Sequence, residues 1–402
     1  MSVPDELKRY VPRTDLYDSA ELISYHMPVE QPPATASYII FKKGNKTYAK
    51  NGTYGHIEYE DTDSASVIQY ALNNLTSNRT WKETVIIKGS YTINSTITIP
   101  SYSKIIIDGQ LKLKDNAGFD MILIENNYVE IHGGTIDGNK ANQTTVEKYP
   151  MKINGAKNVT ISNVRFKDSY DDAIAIMTGT NITVQNCVFE NCGASGPVGP
   201  DAIDINSGNS IKILNNYIEN PYDDGIDIEG VDNTIIRGNI IKNAGATGIE
   251  ANNCTYLKII QNCVITTGLY GIWLGTTSPR AIISQNYVTD SANDGITVTN
   301  SSFAIVIGNV LYANGRHGII LTNSADDTQI IGNACIDNAS NGINIADSLR
   351  VTVVGNRCKG NVYGVAETGT ADYTLLDGNI LLDNTYAHNV DATNSVVGTN
   401  IT

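Results

Sequence analysis

The sequence predicts an all-β fold: a right-handed single-stranded parallel β-helix (a solenoid) with a short N-terminal hairpin/helix cap. Asparagine recurs at Asn216, Asn239, Asn262, Asn286, Asn309, Asn333, Asn356 and Asn379, in steps of 23 or 24 residues. A Gly followed by an aliphatic residue keeps step with it at Gly225, Gly248, Gly271, Gly295, Gly318, Gly342 and Gly364. The segments between are short and β-branched, with no helical stretch in the repeat, and a period in the twenties of that kind stacks into a β-solenoid. Leucine-rich repeats share the period but need a leucine framework that is missing. About twelve coils are expected.

Taken in order, residues 1–62 hold an irregular, proline-containing segment (1–35) and then a hairpin. The hairpin is read from "YIIFKKGNKTYAKNGTYGHIEY", two β-rich runs with Gly-centred turns. Residues 63–103 hold a capping helix and a first coil. In "DSASVIQYALNNL" apolar residues follow an Asp/Ser start at helical spacing, and such a helix would cover the open end of the stack. Residues 104–402 form the solenoid, in which 134–150 and 192–200 lengthen their coils. Insertions of this kind emerge as loops on one face, often the binding face. Along a strand, alternation points Ile226 and Ile228 inward and Asp227 outward. The inward column continues through Ile249, Ile272, Ile296, Ile319 and Ile343. The asparagines are expected to hydrogen-bond from turn to turn through their side-chain amides, without a catalytic role. Cys335 and Cys358 fall inward one coil apart, as stacked buried thiols, with a disulfide as the alternative.

Charge narrows the partners. The chain carries 28 Lys and Arg against 42 Asp and Glu, a net charge of −14. This excludes a nucleic-acid partner, which would want a basic stripe. An acidic polysaccharide remains possible if a cation bridges the two polyanions. No apolar run reaches membrane-spanning length, so no membrane insertion is expected. The opening "MSVPDELKRYVPRTD" shows no signal-peptide core. The expected place is extracellular or virion-associated.

The acids are not scattered. "NPYDDGIDIEG" puts Asp223, Asp224, Asp227 and Glu229 into seven positions. Reading each coil at the residue before its Ala/Gly, and at the outward residue two places after it, gives a grid. Its rows are Asp172 and Ala175, Asp201 and Asp204, Asp224 and Asp227, Thr247 and Glu250, Tyr270 and Trp273. With neighbouring strands about 4.8 Å apart, Asp201, Asp204, Asp224 and Asp227 form one patch, with Asp172 and Asp223 beside it. Beyond it the outward positions turn bland at Thr297, Ile320 and Asn344. Such a patch either holds protons at raised pKa or binds a cation. Calcium, which takes six to eight oxygens in irregular geometry, suits it; zinc, wanting His or Cys, does not. A structural ion or plain acidic decoration of a turn is the alternative. Tyr270 and Trp273, outward on their coil, are candidates for stacking on sugar rings, with Glu250 and Asp172 as further substrate contacts.

Asp201 followed 22 residues later by D-D-x-x-D at Asp223, Asp224 and Asp227 resembles the calcium cage of the β-helical pectate lyases of the family-nine type. That resemblance implies Ca²⁺ held by Asp201, Asp204, Asp223, Asp224 and Asp227. It also implies a uronate polymer as substrate and β-elimination after a base removes the C5 proton. Where that family places its basic residue, this chain has Trp273 in "YGIWLG", which leaves Lys242, Lys258 and Arg280 as candidates nearby in sequence. "DDAIAI" at 171–176 is similar to a strand of the polygalacturonases, which hydrolyse with paired carboxylates; their G-H-G coil is absent here. "GTIDGN" and "YDDGIDIE" are similar to motifs of mannuronan C5-epimerases, without the histidine. The cap and coils also resemble viral tail spikes. The leading expectation is a calcium-dependent lyase on an acidic polysaccharide. Hydrolysis, epimerisation and a non-enzymatic glycan-binding or tail-spike-like solenoid stay open. The expected state is a monomer, or a trimer in the tail-spike case.

Overall fold

The computed structural model describes residues 36–402. The irregular segment at 1–35 and the signal-peptide reading lie outside them.

Strands β1 (Tyr38–Lys43), β2 (Lys46–Asn51) and β3 (Ile57–Asp61) form an antiparallel meander. The first turn uses Gly44 at φ 64°, a left-handed conformation that costs glycine little. Helix α1 (Ser64–Asn73) follows, its first turn capped by the Asp63 carboxylate, which accepts from the amides of Ala65 and Ser66. The helix buries Ala65, Val67, Ile68, Ala71 and Leu72 against β2 and β4 (Glu83–Ile93). It closes the end of the stack, as its spacing predicted. β1 also pairs in parallel with β4, Tyr38 opposite Val85, so the meander is fused to the first coil.

From β4 onward every pairing between successive coils is parallel, and the chain winds through about 14 turns. Twelve were expected because the early coils hide the period. Val129 lies opposite Val159, 30 residues on, and Thr183 opposite Lys212, 29 on, whereas Val159 and Ile182 are 23 apart.

Three sheets run the length of the solenoid. Sheet one contains Ile203–Ile205, Ile226–Glu229, Ile249–Asn252 and Ile272–Leu274. Sheet two contains Lys212–Leu214, Ile235–Arg237, Lys258–Ile260 and Ile282–Ser284. Sheet three contains Tyr217–Glu219, Ile240–Ala244, Cys263–Thr267 and Tyr287–Ser291. Inward residues stack in columns: Ile203, Ile226, Ile249, Ile272, Ile296, Ile319 and Ile343 are opposite one another and buried. Phe166 and Phe189 stack face to face at 4.9 Å.

The asparagines form the ladder that their period suggested. Asn309 Nδ2 donates to Asn333 Oδ1 (2.9 Å) and to the Ile283 carbonyl (2.9 Å). Asn309 Oδ1 accepts from the backbone amide and side chain of Asn286. A second, shorter ladder runs through Asn314, Asn338, Asn361 and Asn384, which the period of the first column masked. Cys335 and Cys358 face each other across adjacent coils, and among the described residues all six cysteines are free.

Candidate functional site

Register brings the acids together. On sheet one Ala175, Asp204, Asp227, Glu250 and Trp273 are successive partners on adjacent strands. One residue before each strand's Ala/Gly runs the deeper column of Asp172, Asp201 and Asp224, each at most 6% exposed. Part of what holds these carboxylates is backbone. Asp172 Oδ1 accepts from the Asp201 amide (2.8 Å), Asp201 Oδ1 from the Asp224 amide (2.8 Å), and Asp224 Oδ1 from the Thr247 amide (2.6 Å). Each acid thus spends one oxygen on the next coil and leaves the other available.

The carboxylates converge. Asp201, Asp204 and Asp227 form one group and Asp224, Asp227 and Glu250 a second, with one carboxylate oxygen per residue within 4.8 Å of the others in its group. Asp227 belongs to both. Its Oδ1 is buried without a hydrogen-bond partner, which is costly for a polar atom. The fit to a hard divalent cation rests on that orphaned oxygen and on an all-carboxylate donor set. Three carboxylates per group leave coordination positions for water or a substrate carboxylate. Asp223 does not converge with the others: its carboxylate turns toward Gly199 in the 192–200 loop. Glu250 stands in its place.

Without a cation these groups cannot all ionise. Burial pushes Asp224 up to about 9, helped by Glu250 and Asp223. Burial and then Glu250 and Asp204 raise Asp227 to about 7, and burial raises Asp204 to about 6. Asp172 and Asp201 lie well above the carboxylate range, first from burial and then from acidic neighbours. The folded state therefore keeps protons that the unfolded chain, with carboxylates near pKa 4, releases. Stability of the metal-free protein is expected to fall as pH rises from about 4 to about 9. Melting temperatures in chelator at pH 5 and pH 9 check this, and added calcium should reduce the difference.

Both inserted loops frame this face. They border a cleft of about 540 Å³ lined by Lys148, Tyr149 and Lys152 on one side, Pro197 and Val198 on another, and Asp172, Asp201, Asp204 and Asp227 at its floor. Lys152 is opposite Ala175, so it occupies the same outward column as the acids. The grid of coils began one coil too late to include it. Lys152 Nζ lies 5.4 Å from the Tyr149 ring centre and 3.9 Å from Asp120. Burial, then Asp172, Asp171 and Asp204, hold the Tyr149 hydroxyl in its protonated form.

The three basic candidates do not reach this cleft. Lys242 projects from sheet three over the Tyr217 ring, Lys258 starts a strand of sheet two, and Arg280 sits exposed in the turn leading into that sheet. Proximity in sequence favours all three, but each lies round a corner of the coil from the acids.

Trp273 points outward in register with Glu250 and is half-buried. Its ring is tilted 49° against Tyr270 at 5.5 Å, and its Nε1 donates to Thr299 Oγ1 (3.4 Å). Beyond it the outward Thr297, Ile320 and Asn344 are buried, not bland surface. The deeper column continues there as Asp294 and His317. Asp294 is fully buried and paired through both oxygens with Arg316, and its Oδ1 also accepts the His317 amide. The residue-before-Gly rule, extended past Tyr270, finds Asp294 and His317.

By sequence, residues 83–233 and again 224–381 match the family described as right-handed beta helix region. No curated protein matches the chain. Among solved structures, the A-module of the Azotobacter vinelandii mannuronan C-5 epimerase AlgE4 superposes with a TM-score of 0.60 at 18% identity, covering 84% of this chain and 96% of that one. The periplasmic alginate epimerase AlgG gives 0.55 at 15%, covering 78% and 77%. The Dettilon tailspike protein gives 0.59 at 17%, covering 82% and 65%. At these identities the likeness is one of fold.

Proposed function

The chain belongs to the right-handed beta helix region family, and from that premise and the acid-floored cleft we propose that it is an enzyme acting on a uronate-containing polysaccharide with calcium. The observation that carries this reading is the convergence of Asp201, Asp204, Asp224, Asp227 and Glu250, with one oxygen of Asp227 unpartnered. At the cleft Asp201, Asp204 and Asp227 would hold the ion, with Asp224 and Glu250 forming a second group beside it through the shared Asp227. When bound the ion neutralises the substrate carboxylate and makes the C5 proton more acidic. The chain's own contribution is a basic and hydroxylic wall. Lys152, as its neutral amine, would take the C5 proton and become the ammonium, and Lys148 would pair with a neighbouring carboxylate. Val198 and Pro197 shield the cleft from one side. Loss of the C5 proton with departure of the C4 oxygen is β-elimination.

C5 epimerisation is the second reading. The Tyr149 hydroxyl keeps its proton and lines the same cleft, so a proton could return to C5 in place of bond cleavage. Two of the solved structures similar to this chain are a mannuronan C-5 epimerase and an alginate epimerase.

The test is incubation with pectate and with alginate in turn, in calcium. Elimination gives ultraviolet-absorbing unsaturated ends, epimerisation changes the proton spectrum of the polymer without new ends, and hydrolysis gives reducing ends alone. A glycan-binding solenoid gives none of these, and that outcome would remove the enzymatic reading. Lys152→Ala is expected to lower turnover by about 10²–10⁴-fold. Trp273→Ala should weaken oligosaccharide binding several-fold through lost ring stacking. A fall of many degrees in its melting temperature would make the ring part of the packing instead.

A further inference from the structure

Asp294 is fully buried on the face that carries the acids, two coils beyond Glu250. Its place in the coil does not call for a charge. Thr247 and Tyr270 stand before the Gly of their coils where Asp294 stands before Gly295. Asn341 serves there uncharged, accepting the Tyr363 amide (3.4 Å) and donating to Asn344 (2.9 Å). A buried carboxylate is costly unless it is paired. What the charge of Asp294 adds is a hold on Arg316, whose Nε donates to Oδ1 (2.8 Å) and whose Nη2 donates to Oδ2. Oδ1 also accepts the His317 amide (3.0 Å), and Oδ2 the Thr297 hydroxyl (3.3 Å). Asp294 is fully engaged.

Arg316 is not. Asp294 grips the Nε–Nη2 edge of the guanidinium, Nη1 has no partner among the described residues, and the side chain is 47% exposed. The free edge, Nη1 with the second N–H of Nη2, is planar and fixed in direction. It suits a carboxylate that takes two parallel hydrogen bonds. No outward residue of sheet one from Ala175 to Ala366 is basic. Register places the edge. Asp227, Glu250, Trp273 and Thr297 are successive partners, and the guanidinium lies against Asp294 on the coil of Thr297, about 14 Å along the stack from Asp227. Between them stand Tyr270 and Trp273, with Tyr270 close enough to act on the Arg316 charge. From the cleft onward this face offers acids, then an aromatic step, then a donor edge.

We propose that the free edge of Arg316 binds the carboxylate of a second uronate residue of the chain that occupies the cleft, with Tyr270 and Trp273 beneath the sugar rings between. This rests on the cleft's acting on a uronate polymer. Arg316 touches no reacting atom; it determines specificity for length. A single ring held at the acids cannot span about 14 Å, so only a longer chain lying along the stack engages both places. Asp294 balances the charge of Arg316, and recognition therefore works through directed, charge-assisted hydrogen bonds and not through net field. Their contribution to affinity is about ten-fold.

The test is a fluorescence titration in calcium with oligouronates of increasing length, prepared from pectate and from alginate. The full chain carries Trp81→Phe, which leaves Trp273 as the reporting indole, and Lys152→Ala, which slows turnover during the titration. Affinity should rise about ten-fold at the length that first spans the acids and Arg316. Arg316→Lys keeps a counter-ion beside Asp294 and loses the planar fork. It should remove that rise and leave the shortest oligomers unchanged. No rise in the parent, or a rise that the variant keeps, would overturn the proposal. So would an equal loss at every length, the mark of a disturbed fold. If Arg316→Lys loses the parent's circular dichroism, Asp294→Asn with Arg316→Gln removes both charges and decides by the same criterion. Turnover with Lys152 intact separates the two readings. An Arg316-dependent rise without turnover of either polymer removes the enzymatic reading and keeps Arg316 as a glycan contact, whereas turnover without the rise removes Arg316 alone.

Discussion

Chelation of divalent ions is expected to abolish turnover of the uronate polymer, by about 10³-fold or more, while the solenoid stays folded. A bound cation acting on the substrate carboxylate and on the charge that develops at C5 contributes several kcal/mol to the barrier. Nothing in the core depends on it. The columns of Ile203, Ile226, Ile249 and Ile272 are fully buried and paired coil to coil through backbone, and hydrophobic burial of that kind needs no ion. Asp227→Asn should produce the same loss, because Asp227 is shared by both converging groups. In the metal-free protein the same change should raise the melting temperature, since it removes a carboxylate that burial, Glu250 and Asp204 hold up to about 7. Activity, calorimetric calcium binding and circular dichroism on one chelated sample check all of this. Unchanged activity would reduce the patch to decoration. Joint loss of activity and fold would make the ion structural.

Asn309→Ala is expected to be strongly destabilising, as is truncation of the other asparagines of its ladder. The Asn309 side chain is fully buried and makes four hydrogen bonds, two donated and two accepted. Alanine leaves the Asn286 amide without a partner inside the stack, at about 1–3 kcal/mol, and removes three further hydrogen bonds of about 0.5–1.5 kcal/mol each. The expected loss is therefore about 2–6 kcal/mol, since no water can replace an amide between two packed coils. Denaturant unfolding measures it, and hydrogen exchange at Asn286 should accelerate in the variant. A loss under 1 kcal/mol would mean that the ladder follows from the coil and does not hold it. Asn309→Asp should be no better, because a carboxylate accepts but cannot donate, and its charge would be buried.

The repeat made most of this molecule readable before any coordinates. Two columns in phase set coil length, and coil length together with strand alternation fixed which side chains face in and which acids stack. Ile226, Asp227 and Ile228 could be placed from that alone, as could the pairing of Asp204 with Asp227 and of Glu250 with Trp273. The asparagine ladder and the helix at Ser64–Asn73 were legible for the same reason: each depends on local spacing. What the sequence could not decide lies where spacing is irregular or where the coil turns a corner. The early coils differ in length, so two of them escaped the period and Lys152 escaped the grid. Lys242 and Lys258 are near the acids along the chain, yet only the path of the coil shows them on other sheets. Asp223 and Asp224 are adjacent in sequence, and alternation sends one carboxylate to the converging group and the other under a loop. The arrangement of Asp294, Arg316 and His317 likewise depends on how a long side chain folds back over the coil before it. A periodic sequence determines position along and around the solenoid; where a flexible side chain ends, and what two inserted loops enclose between them, is decided by packing in three dimensions.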